Sequence, residues 1–166
     1  MKGTDYMNIK FSDQELYLDS NSVFLAGPTL RDNVFENSWR SEACRILEEL
    51  GFTGTIYVPE FSKPRHFSDA DLDAQVEWEW SCLGVAGIIV FWVPRELNLL
   101  PGFTTNVEFG RYITKKPEQV ILGYPEEAKK MEYLKQLYIK ETNREPTNCL
   151  KETLKQSLLL LGSHVN

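Results

Sequence analysis

The chain has 166 residues, of which 42% are hydrophobic and 25% charged, a composition that excludes a disordered, collagenous or coiled-coil protein. Its 24 acidic residues outnumber the 18 basic ones, and the formal net charge of -6 excludes the basic surface that binds the phosphates of DNA or RNA. We therefore expect residues 1–166 to form a single domain whose partner is a small molecule, not a nucleic acid polymer.

The three cysteines, Cys44, Cys82 and Cys149, are far apart in the sequence. Their spacing predicts neither a disulfide framework nor a CxxC pair for zinc or redox chemistry. No apolar run approaches the roughly 20 residues of a membrane span, and the first residues lack the apolar core of a signal peptide. We expect a cytoplasmic protein that does not bind membranes.

The first part of the chain predicts one hairpin and the start of an α/β fold. Apolar and polar positions alternate over residues 8–19, which predicts a small β-hairpin in an N-terminal extension. A β-rich run at 22–29 predicts the first core strand, and apolar residues at helical spacing predict a helix at 36–50. A second strand is expected at 55–59, followed by a polar loop at 60–69.

The rest of the chain continues the alternation of helices and strands. A helix is predicted at 71–83, and the longest apolar run, 86–94, predicts a central strand buried on both faces. Further elements are a helix at 105–114, a strand at 119–124, and helices at 126–141 and 150–161. Because parallel strands need helical crossovers, this order predicts an α/β fold with a parallel sheet flanked by helices on both faces.

Ligands of such sheets bind at the carboxyl ends of the strands, so the segments that follow each strand are the informative ones. The segment around Gly27 contains neither a GxGxxG nor a Walker A motif. In the segment after the central strand, Thr105 and Glu108 have the spacing of a capping box, in which Glu108 would bond to the helix start. A helix start also favours an ionised carboxylate, which is the form that a nucleophile needs.

A second acidic group precedes the central strand. Glu77 and Glu79 are two residues apart on a helix, so at most one of them faces a given cleft. Two histidines and scattered cysteines exclude a histidine-rich metal site and leave only carboxylate-bound magnesium open. We predict no metal and no cofactor, and find no nucleophile elbow of a Ser-His-Asp hydrolase.

Six short segments, in this order, resemble the nucleoside 2-deoxyribosyltransferase-like family: FLAGP (24–28), SWR (38–40), VPE (58–60), EWE (77–79), VFWVP (90–94) and TTNVEFG (104–110). The last is the most specific, because family members carry a nucleophilic glutamate in an E-x-G context at this helix start. The resemblance covers about residues 22–125. It implies a flavodoxin-like or Rossmann-like three-layer sandwich, homo-oligomers with sites near subunit contacts, and cleavage of the N-glycosidic bond of nucleosides.

The resemblance also implies roles for two carboxylates. Glu108 matches the nucleophile, and Glu79 matches the residue that manages the nucleobase and its proton, in place of the more usual aspartate. A further acidic residue of the better-known transferases falls near Gly102, so sugar and base recognition are expected to differ here. The candidate substrate-binding residues are Gly27, Pro28, Thr29, Arg31, Trp92, Pro94, Thr105, Asn106 and Gly110. Among these, Trp92 would support the base plane and Asn106 would hold sugar hydroxyls.

The leading hypothesis is a retaining double displacement, in which Glu108 forms a glycosyl ester and a second base accepts the sugar. The first alternative is an N-glycosidase with water as the acceptor, acting on a nucleoside or on a 5′-monophosphate held by Arg31, Lys63 or Arg65. The second is a nucleotide-binding module without turnover, since a fold alone does not determine function.

Overall fold

The core of the protein is a five-stranded sheet in which all neighbouring strands are parallel. The computed structural model describes residues 6–31, 34–64 and 68–162. The strand order is β1-β3-β2-β4-β5. The strands are β1 (Asn8–Phe11), β2 (Ser22–Ala26), β3 (Thr55–Val58), β4 (Ile88–Trp92) and β5 (Val120–Gly123).

In the part of the chain that the structure describes, five α-helices form the two outer layers: α1 (Trp39–Glu49), α2 (Asp69–Val85), α3 (Phe103–Lys115), α4 (Glu132–Thr142) and α5 (Leu150–Leu161). Helices α1 and α5 pack on one face of the sheet, and α2, α3 and α4 pack on the other. The predicted three-layer sandwich with a parallel sheet is therefore confirmed. Among the described residues, none of the helices is both long and apolar enough to span a membrane.

The two cores explain why the central strands are apolar at every position. In β2, Val23 and Leu25 pack against α1 and α5, whereas Phe24 and Ala26 face α2 and α3. All four side chains are buried, since alternate residues of a strand point to opposite faces and both faces are covered.

The predicted N-terminal hairpin is wrong. Strand β1 pairs in parallel with β3 at the edge of the main sheet, and residues 12–20 form no strand. The Asp13 carboxylate accepts hydrogen bonds from the Ser62 backbone N–H at 2.9 Å and from its hydroxyl at 2.8 Å. The segment after β1 is thus hydrogen-bonded to the loop after β3. The alternation of apolar and polar residues reflects an edge strand covered on one face, whose partner strand is distant in sequence.

Four predicted helix starts also differ from the structure: α1 begins three residues later than predicted and α2 two residues earlier. Helix α3 begins at Phe103, two residues before the predicted start. Helix α4 begins at Glu132 and not at residue 126, because the preceding residues form turns. In that segment the Lys129 N–H donates to the carbonyl of Arg95 at 3.1 Å, and Lys130 has a φ of 55°. A tertiary contact therefore holds these residues outside the helix.

The sheet has one point at which the chain connections diverge. From β2 the chain continues to β3 on one side, and from β4 it continues to β5 on the other, so a crevice opens at the carboxyl ends of β2 and β4. Gly27 lies in this crevice. A Cβ atom at this residue would lie 2.1 Å from the carbonyl oxygen of Trp92 and 2.8 Å from a ring carbon of Trp39. Only glycine lets the two strand ends approach this closely.

The substitution Gly27→Ala should therefore destabilise the protein, by about 1–3 kcal/mol or more, because the obstructing atom belongs to the backbone. Urea unfolding of the purified variant measures the change. Gly84→Ala is the matched control: Gly84 is exposed on α2 with no atom near the added Cβ, so the variant should gain about 0.5–1 kcal/mol. A Gly27→Ala protein as stable as the wild type would contradict the packing described.

Candidate active site

The crevice at the strand ends contains a cavity of about 370 Å³, within the usual range for small-molecule sites. Residues from the ends of β2, β3 and β4 and from three helices form its wall. They are Gly27, Pro28, Thr29, Arg31, Arg40, Pro59, Leu72, Gln75, Val76, Glu79, Leu99, Pro101, Gly102, Phe103, Thr104, Thr105 and Glu108.

Two glutamates from different helices meet in this cavity. Glu79 comes from α2 and Glu108 from α3, both are half-buried, and their carboxyl groups are hydrogen-bonded to each other. Glu77 is exposed and lines a separate groove beside Ser12 and Asp13. Only one of the two glutamates on α2 therefore lines the cavity, as their spacing predicts.

Burial and mutual repulsion alter the acidity of this pair. Burial, followed by the negative charge of Glu79, raises the pKa of Glu108 to about 8, although the charge of Arg40 opposes the shift. Burial also raises the pKa of Glu79, against the hydrogen bond from Gln75 and the charge of Arg40. Because two adjacent carboxylates resist being ionised together, the pair holds one proton and one negative charge near neutral pH.

Arg40 lines the cavity, and its guanidinium is fully buried. It donates hydrogen bonds to the carbonyls of Leu25 at 2.8 Å and Gly27 at 2.6 Å, and to the Thr29 hydroxyl at 3.0 Å. Its Nη1 also forms an ion pair with the Glu60 carboxylate at 2.5 Å. The side chain thus shapes the loop after β2, joins it to the end of β3 and supplies positive charge to the glutamate pair.

The predicted capping box is absent. Gly102 is the N-cap of α3, in the left-handed region with φ 66°, and no side chain caps the helix. Because α3 starts at Phe103, Thr105 is its third residue and Glu108 its sixth. Glu108 is therefore free of a capping role. The helix dipole acts mainly within the first turn, so Arg40 and not the helix start is the main positive charge near Glu108.

The structure brings seven of the predicted site residues together around the cavity: Glu79, Glu108, Gly27, Pro28, Thr29, Arg31 and Thr105. The other four lie outside its wall. Trp92 is buried, with its carbonyl against Gly27, and Pro94 lines a neighbouring groove. Asn106 accepts a hydrogen bond from Arg95, and Gly110 lies further along α3.

Sequence reasoning missed three polar residues of the wall, Arg40, Gln75 and Thr104. Gln75 precedes Glu79 by four residues, a spacing that places both side chains on one face of a helix. Gln75 could therefore have been predicted from the sequence once Glu79 was a candidate. Arg40 lies in one of the family segments, but its contacts join residues distant in sequence and no local spacing reveals them. Within the described residues, no group of three or more His, Cys, Asp or Glu side chains is arranged to hold a metal ion.

Comparison with known protein families now identifies the class. The profile of the nucleoside 2-deoxyribosyltransferase-like family matches residues 20–127, and the chain belongs to this family. A comparison with curated proteins found no match. Family membership indicates a glycosyl-transferring or related enzyme whose partner is a nucleoside, and it confirms the resemblance seen in the sequence.

The buried ion pair makes a prediction about stability. Arg40→Met leaves the Glu60 charge buried without its partner and should cost about 3–5 kcal/mol in urea unfolding. The double variant Arg40→Met with Glu60→Met removes both charges, so it should be more stable than Arg40→Met alone. A double variant less stable than Arg40→Met would contradict this account.

The raised pKa of Glu108 predicts a pH dependence of stability. The folded protein keeps this proton up to pH about 8, whereas the unfolded chain releases it near 4.5. The group's contribution to stability is therefore fully present below pH 4.5 and is lost as the pH rises through 8. The Glu108→Gln variant has no charge to bury at this position, so it should not lose this stability as the pH rises. The difference in melting temperature, variant minus wild type, should therefore be larger at about pH 9 than at about pH 5.

Glu77→Gln is the control for this measurement, since Glu77 is exposed on α2 and outside the cavity. Its melting temperature relative to the wild type should change little between the two pH values. An equal, pH-independent difference for Glu108→Gln would show that Glu108 does not retain its proton on folding.

Proposed function

We propose that this protein cleaves the N-glycosidic bond of 2′-deoxynucleosides through a covalent glycosyl-glutamate intermediate and transfers the sugar to another base. The observation that carries the proposal is the contact between Glu108 and Glu79 in the cavity at the strand ends. One proton shared by the pair provides a carboxylate and an acid in one site, which is the requirement of this chemistry.

The closeness of the two carboxyl groups favours retention of configuration. In inverting glycosidases the carboxyl groups are separated by roughly 6.5–9.5 Å, because a water molecule lies between them and the sugar. Glu79 and Glu108 are within hydrogen-bond reach of each other, which is closer than the inverting range and nearer to the roughly 5–5.5 Å separation of retaining glycosidases. A mechanism in which one of them attacks the sugar directly fits this geometry.

In the first step, the shared proton moves across the hydrogen bond from Glu108 to Glu79, and the Glu108 carboxylate attacks C1′ of the sugar. The bond between C1′ and the base nitrogen breaks, its electron pair moves onto the base, and Glu79 gives the base the shared proton. A glycosyl ester on Glu108 and a neutral base result. In the second step a nitrogen of the acceptor base attacks C1′, its proton passes to Glu79, and the ester bond breaks to restore the Glu108 carboxylate. Arg40 stabilises the single negative charge of the pair in both steps.

The other predicted contacts fall into two groups. We propose direct substrate contacts for Gly27, Pro28, Thr29, Arg31 and Thr105, which line the cavity. The other four residues would support the cavity wall without touching the substrate: Trp92, Pro94, Asn106 and Gly110. The evidence for Trp92 is that its backbone carbonyl packs against Gly27, which lines the cavity. For Asn106 it is the hydrogen bond from Arg95, whose guanidinium also lies beside Gly102.

The second candidate function is an N-glycosidase that acts on a nucleoside or its 5′-monophosphate with water as acceptor. Arg31 favours it, because this exposed cation lines the cavity and a guanidinium suits phosphate recognition. Lys63 is exposed and does not line the cavity, and Arg65 lies outside the described residues.

Association of several copies of the chain is part of the proposal. Three large apolar side chains stand at the mouth of the cavity and are largely exposed: Phe103 at 79%, Leu99 at 61% and Leu72 at 54%. Apolar surface of this kind around a functional cleft is typical of an interaction site. A homo-oligomer would cover it beside the active site.

The test is to incubate the protein with 2′-deoxynucleosides and their 5′-monophosphates, with and without a free acceptor base, and to follow nucleosides and bases by chromatography. New nucleosides in the presence of acceptor support transfer, whereas base release independent of acceptor indicates the N-glycosidase. Glu108→Gln should lower turnover by orders of magnitude, since it removes the nucleophile. In the wild type, mass spectrometry should find a glycosyl adduct on Glu108.

Glu77→Gln again serves as the matched control and should keep wild-type turnover, because its side chain lies outside the cavity. If no nucleoside or nucleotide is cleaved or exchanged but nucleotide still binds to a folded protein, the chain is a binding module and the enzymatic proposal fails.

A further inference from the structure

We propose that Gln75 makes this site selective for a purine that carries an amino group at C6, and that the selectivity comes from the side-chain carbonyl oxygen of this glutamine. The inference rests on the proposed function and names its substrate class. It starts from the hydrogen bonds of one side chain on the cavity wall.

The orientation of the Gln75 amide is determined by its partners. Its Nε2 donates to the carbonyl of Pro59 at 3.1 Å and to the Glu79 carboxyl at 2.9 Å. A backbone carbonyl can only accept a hydrogen bond, so the Pro59 contact requires the nitrogen on this side. Both N–H groups of the amide are thereby used.

The carbonyl oxygen of the same amide is available to a ligand. Among residues 6–31, 34–64 and 68–162, none donates a hydrogen bond to Gln75 Oε1, and this oxygen is not among the fully buried atoms without a partner. Gln75 is half-buried and lines the cavity. Because Nε2 is the atom bonded to Glu79, Oε1 is the polar atom of this lining side chain that is left for a base entering the cavity.

Gln75 and Glu79 together match one edge of a purine. Glu79 is the proton donor in the proposed reaction, and Gln75 Oε1 is an acceptor one helical turn away. Adenine presents a ring acceptor, N7, next to the amino donor on C6, whereas a 6-oxopurine presents two acceptors, N7 and O6. The amino base thus pairs with both side chains. A 6-oxopurine would place its oxygen against Gln75 Oε1 and leave both acceptors unpaired.

The same pairing fits the departure of the base. As the bond between C1′ and N9 breaks, its electron pair moves into the purine ring and N7 takes the proton from Glu79. The base leaves as a neutral molecule and Glu79 becomes a carboxylate. A hydrogen bond from the C6 amino group to Gln75 holds N7 in line with the Glu79 proton throughout this step.

The experiment compares kcat/KM for 2′-deoxyadenosine, 2′-deoxyinosine and purine 2′-deoxyriboside, which has only hydrogen at C6. The wild type should prefer deoxyadenosine to deoxyinosine. Gln75→Met, which has a similar length and no polar atom, should reduce this preference at least about tenfold. The readout is a ratio measured on one preparation, so a lower content of folded protein does not alter it. The kcat/KM for purine 2′-deoxyriboside should fall little in Gln75→Met, because this substrate makes no hydrogen bond to Gln75.

Gln136→Met is the matched control. Gln136 donates to Glu132 at 2.8 Å, also across one helical turn, but on the exposed face of α4 and far from the cavity wall. Its substrate ratio should equal that of the wild type. A general effect of removing a glutamine from a helix would appear in both variants, and a role in base selection only in Gln75→Met.

The outcomes separate the two proposals. If deoxynucleosides are cleaved but the amino-to-oxo ratio is the same in the wild type and in Gln75→Met, the role of Gln75 is wrong and the proposed function stands. The same holds if the wild type prefers the 6-oxopurine. If no deoxynucleoside is cleaved by any of the proteins, the proposed function fails and the selectivity fails with it.

Discussion

The arrangement of the site depends on one buried cation. Removing a guanidinium from water is unfavourable by several kcal/mol unless its charge and its N–H groups find partners. Arg40 finds them in the Glu60 carboxylate, in the carbonyls of Leu25 and Gly27, and in the Thr29 hydroxyl. These partners come from the ends of β2 and β3. The need to satisfy one buried charge therefore fixes the loop that forms a wall of the cavity.

The positive charge of Arg40 also reduces the cost of placing two carboxyl groups side by side in the cavity. Glu79 and Glu108 come from two helices on one face of the sheet and meet where the crossover connections diverge. Two adjacent carboxyl groups in a half-buried cavity repel each other when both are ionised, and burial disfavours either charge. Arg40 lowers the pKa of both groups against these effects. Together these effects leave the glutamate pair with one proton and one negative charge. This arrangement lowers the stability of the protein at high pH, and it provides the acid and the carboxylate that a glycosyl transfer needs.

Gln75 illustrates how a structural contact can also set specificity. Its hydrogen bonds to Pro59 and Glu79 hold the acid in place, and they use up the donors of the amide. The remaining acceptor is the atom that we propose to contact the base. In this proposal, positioning of the acid and discrimination between bases depend on one side chain, because both tasks require a rigid group beside Glu79.

By itself the sequence determined the layers, the parallel sheet and the glycine at the end of β2, because periodic burial and short motifs are local signals. It also predicted Glu79 and Glu108 as candidate site residues, and both line the cavity. It did not determine the partner of β1, since alternation records which residues are buried and not which strand pairs with them. It misjudged Thr105 and Glu108 as a cap, because Gly102 starts α3 earlier in a conformation that spacing does not reveal. Only the tertiary structure brought Arg40 and Gln75 to the cavity and placed Trp92 behind it. Those positions follow from hydrogen bonds and packing between segments far apart in the chain.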